Sequence, residues 1–359
     1  MGYIAESEEL FYGNFRTYKI IKGDTLQTVS QKLGIEAREL RRYHNMYCLD
    51  ADVIEKDFKH HCHFVILAPE KNDSSPVNEE DRLKKVSLGK DNKLPFLPRG
   101  ISRDYSAAYT FEVGDKIDTM EMAVRVKWIA TDSNKYNLFE ITRSINLFID
   151  DNAPDKMIDE LSSKIVAVLY PLKIVVDEFG KWIDIHNYDE IVSRWKDKKS
   201  EILDYYEGEV VKSYIEHTEY VLENSKRLLA SLRYDYFLNT FFNGMHVKYT
   251  AEYGFQNDLI FPLEKEIEAV FHVQHKIAPN LDDGGFIKIE QNAHYIDSGF
   301  GFLYGYTPSK VNYNAVYFLN SDNYFIEKMN FELNIENDKR IKTTIYVIEL
   351  LDNKKNVRE

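Results

Sequence analysis

The chain is poor in cysteine, with only Cys48 and Cys62 among its 359 residues. So few thiols exclude a fold built on disulfides and a zinc module built on several cysteines. No apolar run approaches the length of about 18 residues that a membrane-spanning helix needs. The N-terminus also lacks the basic start and apolar segment of a secretory signal. We therefore expect a cytoplasmic protein with no membrane insertion.

Positive charge is scarce as well, since 46 Lys and Arg stand against 59 Asp and Glu and give a net charge of −13. An evenly acidic surface repels phosphate backbones, so we expect no nucleic-acid partner. The sequence contains no P-loop, no Rossmann glycine pattern, no Gly-x-Ser-x-Gly and no His-Glu-x-x-His. These absences predict a protein that is not an enzyme and needs no cofactor.

Apolar and aromatic residues, by contrast, are plentiful. Hydrophobic residues make up 44% of the chain and aromatic residues 14%, which supports a real core and favours β-structure. The length predicts about two domains. We predict an N-terminal lead-in over 1–15, a compact unit over 16–69, a linker over 70–100 and a large domain over 101–359. The apolar residues in 94–98 leave open a second interpretation, an extended segment docked on a neighbour.

The large domain combines three blocks of pattern. Alternating, β-rich sequence predicts strands between 105 and 149 and again between 268 and 351. Helical periodicity predicts helices over 154–168 and 187–243, the second broken at Gly208. Between these helices, Glu178-Phe-Gly180 predicts the turn of a hairpin with strands 172–176 and 182–185. Strands, then helices, then strands predict an α+β domain with antiparallel strands around a central long-helix region. The predicted segments within the strand blocks are 105–113, 119–130, 137–149, 268–276, 285–294, 315–319, 324–335 and 342–351.

The compact unit has the pattern strand, helix, helix, strand. The run Thr17–Ile21 is β-rich, and Asp24 is predicted to cap a helix that starts at Thr25. Gly34 is placed to end that helix. A second helix is predicted from Glu36 to about Tyr43, and the apolar run 64–67 predicts the closing strand.

Several residues of this unit resemble the LysM family. The resemblance is carried by Tyr18-Lys-Ile-Ile-Lys-Gly-Asp-Thr-Leu26, by Gly34-Ile35, by Glu39-Leu40, by Asn45 and by Phe64-Val-Ile-Leu-Ala-Pro69. It implies a βααβ module over 16–69 that binds N-acetylglucosamine polymers such as peptidoglycan or chitin. The family's sugar groove lies between the turn before the first helix and the loop after the second. Carried over to this chain, the groove residues are Gly23, Asp24, Thr25, Leu26, Asn45 and Met46.

Simpler structural roles compete with the groove. Asp24 is typical of a helix cap and Asn45 of a side chain that fixes a loop. The loop 46–63 is longer than the resemblance implies and carries four acidic residues near the groove. The run 60–63, His-His-Cys-His, lacks the spacing of a zinc site, so we predict no metal. A reducing cytoplasm also makes a disulfide between the two cysteines unexpected.

A LysM unit without an export signal favours an intracellular assembly over a wall binder. Arg42-Tyr-His-Asn-Met-Tyr-Cys48 and the acidic stretch after it resemble the LysM variant of contractile injection and type VI secretion gene clusters. We therefore expect an adaptor that docks protein partners such as a spike, a baseplate element or an effector. Two alternatives stay open. One is a peptidoglycan- or chitin-oligosaccharide-binding protein. The other is an unrecognised enzyme such as a wall hydrolase, because carboxylate pairs are abundant.

Overall fold

The computed structural model describes residues 12–13, 15–48, 52–54, 56–68, 84–114, 116–144, 148–149, 157–264, 267–282, 284–296, 310–337 and 340–351. The chain divides into two compact units, Met1–Arg82 and Leu83–Glu359. Both units mix helices and strands, and the second carries a large antiparallel sheet. Within the described residues no helix combines the length and the apolar character needed to cross a membrane.

The small unit has the predicted order of strand, helix, helix, strand. Its elements are β1 (Thr17–Lys19), α1 (Leu26–Leu33), α2 (Ala37–Tyr47) and β2 (Phe64–Ile66). The two strands pair antiparallel, with Tyr18 opposite Val65. The helices close over a small core because their apolar residues repeat at helical spacing. The buried members of that core are Leu26, Val29, Leu40, Ile54, Val65 and Leu67.

The start of α1 differs from the prediction. Thr25, and not Asp24, caps the helix: the Thr28 amide donates to the Thr25 hydroxyl oxygen at 3.1 Å and the Thr25 amide to Thr28 Oγ1 at 2.8 Å. Asp24 is unavailable as a cap because its carboxylate closes the preceding turn, where Gly23 has φ +95°. Gly34 ends α1 in the left-handed conformation, as predicted, with φ +65°.

The large unit is built on one antiparallel sheet of 12 strands, in the order β8-β7-β5-β4-β3-β14-β13-β12-β11-β10-β9, with β6 on β4. Two meanders meet where β3 pairs with β14, so β8 and β9 form the two edges. The strands are β3 (Ser102–Val113), β4 (Lys116–Thr131), β5 (Asn137–Arg143), β6 (Phe148–Ile149), β7 (Leu172–Val176), β8 (Trp182–Ile185), β9 (Gly254–Glu264), β10 (Ile267–Ile277), β11 (Phe286–Ile296), β12 (Lys310–Asn320), β13 (Ile326–Asn337) and β14 (Arg340–Leu350).

The predicted strands are present in this sheet with shifted ends, apart from two differences. The predicted strand 137–149 is two strands, β5 and β6, and its residues 145–147 lie outside the described part of the chain. The edge strand β9 has no counterpart in the prediction. The sheet accounts for the antiparallel half of the α+β class.

The helical half corrects the prediction of one long region over 187–243. Four separate helices cover that stretch: α4 (Tyr188–Tyr205), α5 (Glu209–Val221), α6 (Ser225–Leu232) and α7 (Tyr236–Phe241). The break at Gly208 is as predicted, with φ +113°. The other two breaks arise at N-caps, because the side chains of Asn224 and Asp235 accept hydrogen bonds from the following helices.

The earlier predicted helix, 154–168, is present as α3 (Met157–Ala167). Residues 154–156, including Pro154, lie outside the described part.

Helix α7 is held by aromatic residues from both halves of the sheet. The ring centroids of Tyr105 on β3 and Phe241 lie 5.3 Å apart, and those of Tyr236 and Phe261 on β9 lie 5.6 Å apart. Phe139 on β5 packs on Phe242 directly after the helix. Strands from both halves of the sheet therefore pack against this one short helix and the residue after it.

Residues 84–100 are part of the large unit and do not form a free linker. Val86 and Leu94 are buried in its core. Their amides donate to the carbonyls of Pro279 and Val247, each at 2.9 Å. The described part of the predicted linker 70–100 therefore takes the docked form that the apolar residues of 94–98 left open.

Candidate functional site

The groove residues carried over from the LysM resemblance lie at the N-terminus of α1 and in the last turns of α2. Gly23 sits in the exposed turn before α1. Asn45 and Met46 belong to α2, which extends four residues beyond the predicted end at Tyr43. The Met46 side chain lies outside the described part. What these positions can do depends on which polar atoms the chain itself already uses.

Asp24 is committed to three partners within its own unit. Its Oδ2 accepts hydrogen bonds from the Tyr18 hydroxyl at 2.8 Å and from the Ile21 amide at 3.1 Å. Its Oδ1 lies 2.5 Å from Lys32 Nζ on α1. The hydrogen bond from Lys32 lowers the pKa of Asp24, and the same contact raises the pKa of Lys32. The carboxylate therefore ties β1, the turn and α1 together.

The backbone amide at the start of α1 is also hydrogen-bonded within the small unit. Leu26 N–H donates to Asp57 Oδ1 at 2.6 Å, and Asp57 accepts from the Phe58 amide at 2.8 Å as well. A carboxylate at a helix N-terminus is favoured by the helix dipole and by the unpaired amides there. Thr25 is engaged with Thr28, and the Leu26 side chain is buried. The acidic content of loop 46–63 points to Asp57, but nothing in the sequence shows that it returns to α1.

Asn45 uses both ends of its amide on the same loop. Its Nδ2 donates to the Ile54 carbonyl and its Oδ1 accepts from the Ile54 amide, each at 2.8 Å. The side chain is buried. The predicted alternative for Asn45, a side chain that fixes a loop, is therefore present in the structure.

A second anchor of the loop is a buried polar cluster that the sequence does not single out. His44 Nε2 lies 2.9 Å from the Asp52 carbonyl oxygen, and its Nδ1 accepts from the Ile66 amide at 3.1 Å. The Tyr12 hydroxyl donates a short hydrogen bond to the Asp52 carboxylate. His61 Nε2 lies 3.7 Å from the other carboxylate oxygen. These contacts anchor the loop at Asp52, in addition to the contacts of Asp57.

Together, the contacts bring the loop back over the region between the start of α1 and the end of α2. Asp57 occupies the helix amide and Ile54 occupies the Asn45 amide, so the chain itself fills hydrogen-bonding positions of the candidate groove. Asp24, Asn45 and Asp57 are therefore each hydrogen-bonded within the described part of the small unit.

The histidine and cysteine run beside this loop does not gather into a ligand set. Cys48 and Cys62 are buried thiols and form no disulfide. Cys62 Sγ lies 3.4 Å from the Phe64 carbonyl oxygen. Over the described ranges no group of three or more His, Cys, Asp and Glu side chains is placed to hold a metal ion.

In the large unit, two buried histidines are held by hydrogen bonds. His275 on β10 donates from Nε2 to Asn257 Oδ1 at 2.8 Å, and its Nδ1 lies 3.1 Å from Gln291 Nε2. His246 Nδ1 lies 2.7 Å from the Pro95 carbonyl oxygen. Burial lowers the pKa of each histidine to about 4, so both are neutral near pH 7. His275 lies on β10 and His246 lies in the loop before β9, and the hydrogen bonds given for their rings in the described part of the chain go to Pro95, Asn257 and Gln291.

A largely buried ion pair joins β5 to the start of α7. Arg143 Nη2 donates to Asp235 Oδ1 at 2.7 Å, and the same oxygen accepts from the Leu238 amide at 3.0 Å. The Arg143 guanidinium also lies over the rings of Tyr170 and Phe237, 5.3 Å from each centroid. Opposite charge and cation–π contact suit a structural clamp between β5 and α7.

A small cavity lies between α3 and α4. It measures about 110 Å³ and is lined by Lys164, Glu201, Ile202, Tyr205 and Tyr206. Ligand pockets are typically about 300–1,000 Å³. Lys164 is already paired with Glu160 and with the Tyr206 hydroxyl. The cavity lacks the size and the converging groups of an active site.

Comparison of the chain with known proteins does not assign it to a family. No protein-family model matches the chain, and a search of the curated proteins finds no match. The LysM assignment and its groove therefore stay predictions from the residues quoted above.

Proposed function

We propose that this protein is a non-enzymatic structural or adaptor component of a phage-tail-like contractile injection or type VI secretion apparatus. In this proposal the LysM-like unit is a rigid docking module. The large α+β unit binds a protein partner such as a spike, a baseplate element or an effector. Both units act through their surfaces and need no cofactor.

One observation carries the proposal: at the predicted groove positions, hydrogen bonds within the chain already use the Asp24 carboxylate, the Thr25 hydroxyl, the Leu26 amide and the Asn45 side chain. A sugar amide must find donors and acceptors that are not already satisfied, because displaced buried hydrogen bonds cost free energy. Asp57 holds the Leu26 amide, and Ile54 holds both ends of the Asn45 amide. This arrangement favours a protein-docking role over a glycan-binding one.

The buried charges of the large unit support the same proposal over an enzyme. The Arg143–Asp235 and Arg103–Glu327 pairs each join charged side chains at 2.7 Å. His246 and His275 are hydrogen-bonded to the fold. Acid–base catalysis needs titratable groups that converge on a space for substrate.

Co-sedimentation with purified peptidoglycan tests the choice between adaptor and wall binder. We expect the full-length protein to stay in the supernatant, together with the Asp24→Ala and Asn45→Ala variants. Sedimentation of the wild type that either substitution abolishes would contradict the adaptor proposal in this form. Circular dichroism of each variant separates lost binding from lost folding.

A further inference from the structure

Strand β9 is an edge strand, and among the described residues only β10 pairs with it. Along an antiparallel strand, alternate residues direct both N–H and C=O to the same side. The Ile277 amide donates to the Tyr253 carbonyl at 3.0 Å, so odd-numbered residues of β9 face β10. Even-numbered residues therefore face away from the sheet. Gly254 agrees, since it exchanges hydrogen bonds with Thr250 on that outer side.

Three residues of β9 carry this unpaired outer edge. None of the hydrogen bonds in the described part of the chain involves the backbone of Gln256, Asp258 or Ile260 on the side away from β10. Gly254 at one end is satisfied by Thr250, and Pro262 at the other end has no N–H to offer. The opposite edge of the sheet is covered, because the Trp182 amide on β8 donates to the Phe242 carbonyl at 3.2 Å.

The side chains on this edge have a definite chemistry. Ile260 is 64% exposed. It continues a row with Val270 and Ile296, which lie opposite one another across β10 and β11. Asp258 is 59% exposed and its Oδ1 lies 2.9 Å from His272 Nδ1. An edge with an exposed apolar residue and unpaired backbone groups is a template for another strand.

A second copy of the chain fits this edge poorly. Symmetric antiparallel pairing that uses all three residues places Gln256 opposite Ile260 of the other copy and Asp258 opposite its own equivalent. Like charges directly opposite each other in a sheet are destabilising. Shifting the register brings Pro262 or Gly254 into the ladder. Pro262 has no N–H to donate, and the outer groups of Gly254 are already bonded to Thr250. The net charge of −13 adds repulsion between copies.

We propose that β9 accepts an extended segment of a different protein, which carries a basic residue opposite Asp258 and an apolar residue opposite Ile260. The main-chain ladder supplies the attachment, and the charge and the apolar row select the sequence. The proposal rests on the docking role proposed above and names the surface and the chemistry of the partner.

A pair of labelled peptides tests this directly against the full-length protein. The first is Thr-Val-Ile-Thr-Lys-Thr-Val-Thr, which in antiparallel register puts Lys opposite Asp258 and Ile opposite Ile260. The second replaces Lys by Glu. By fluorescence anisotropy we expect the Lys peptide to bind about fivefold more tightly than the Glu peptide. In the Asp258→Lys variant we expect that preference to reverse.

Two substitutions of exposed isoleucine provide the matched control. Ile260→Ser is expected to weaken binding of the Lys peptide about fivefold, because it removes the apolar contact. Ile183→Ser on the covered edge strand β8 is expected to leave binding unchanged. Circular dichroism checks that each variant is folded. If Asp258→Lys does not fold, Asp258→Asn replaces it, and this variant should bind both peptides with equal affinity.

Three results overturn the proposal. One is an absence of saturable binding up to about 1 mM peptide, where even weak complexes form. Another is equal affinity of the wild type for both peptides. The third is a wild-type dimer, seen by sedimentation, that Ile260→Ser dissociates, since the occupant would then be a second copy. The peptide test reads only this edge and can fail while the protein still belongs to an injection apparatus.

Discussion

Single residues of the small unit determine whether its long loop stays in place. Asn45 forms hydrogen bonds with both the amide and the carbonyl of Ile54. The two residues are nine positions apart in the sequence, and no short sequence motif predicts this contact. The sequence predicts the α1 and α2 positions but not these loop contacts, because hydrogen bonds across a variable loop depend on its path. The prediction that Asp24 caps α1 is wrong for a related reason. Asp and Thr are both strong caps, and here the Asp24 carboxylate is held by the Ile21 amide, Tyr18 and Lys32, so Thr25 caps the helix.

Asn45→Ala tests the loop anchor. The change leaves the buried amide and carbonyl of Ile54 without partners, so we expect about 2–4 kcal/mol lower stability of the small unit. Hydrogen exchange with mass spectrometry on the full chain localises the effect to residues 26–67. The exposed Gln27→Ala substitution on α1 is the control and should change exchange little. Equal protection in both variants would show that the loop is held by other contacts.

Gly180→Ala tests a close approach in the large unit. Gly180 has φ +79°, and a Cβ there would lie 2.7 Å from His246 Cδ2. Gly285 has φ +78° with no atom within 4 Å of that position, so Gly285→Ala carries the backbone strain alone. We expect Gly180→Ala to lower the unfolding free energy about 1–3 kcal/mol more than Gly285→Ala, because the added methyl overpacks the site. Urea denaturation followed by tryptophan fluorescence measures the difference, and equal losses would argue against the contact.

His246 and His275 predict how stability depends on pH. Burial lowers the pKa of each to about 4, below the ordinary value of 6.5. Below pH 6.5 these histidines become protonated in the unfolded chain but stay neutral in the folded chain. The free energy of unfolding therefore falls as the pH falls from about 6.5 to 4. We expect a loss of about 2 kcal/mol per histidine between pH 7 and pH 5.

Urea denaturation at the two pH values measures this loss. His275→Gln should reduce the pH dependence, and the exposed His217→Gln is the control that should not. Stability that is equal at pH 7 and pH 5 would show that the two buried histidines do not resist protonation.

Among the elements, the short helix α7 organises the large unit. It is only six residues long, Tyr236–Phe241, yet it contacts strands from both halves of the sheet. Its N-cap Asp235 also pairs with buried Arg143 on β5. The prediction from the sequence treats α7 and the three helices before it as one helical region. The aromatic residues at 234–242 continue the helical periodicity, so the break before α7 is not visible in the pattern.

Asp235→Asn tests the clamp between α7 and the sheet. The amide retains an oxygen for the Leu238 N–H, but it removes the charge that balances Arg143. Breaking a buried pair leaves an uncompensated charge, so we expect a loss of about 3–5 kcal/mol. Asn224→Ala, at the more exposed N-cap of α6, should cost only about 1 kcal/mol. Similar costs for both, measured by urea denaturation, would contradict the role given to the ion pair.

The strands show which part of the fold is readable from the sequence. Segments β10 to β14 alternate apolar and polar residues with enough β-branched and aromatic content to be predicted. Strand β9 is not predicted, because Asn257, Asp258 and Pro262 are residue types that are rare in strands. It forms because Phe255, Leu259 and Phe261 face the core and β10 supplies its ladder. The same unfavourable residues mark it as an edge.

At the scale of the whole molecule, the two units carry different evidence for function. The small unit resembles LysM in its residues, and side chains at the predicted groove positions are hydrogen-bonded within the unit. The large unit presents an unpaired strand edge and lacks a converging catalytic set among the described residues. Neither feature is visible from composition alone, which predicted only an acidic, aromatic-rich chain of about two domains. We propose protein docking as the role of both units.

Affinity purification of the tagged full-length protein from its native cell, followed by mass spectrometry, tests the central claim most directly. The Asp258→Lys variant and an untagged strain, processed in parallel, are the controls for the docking edge and for background. The account predicts that sheath, tube, spike or baseplate proteins are enriched with the wild type. Recovery of the protein with peptidoglycan fragments, and without any component of such an apparatus, would contradict it.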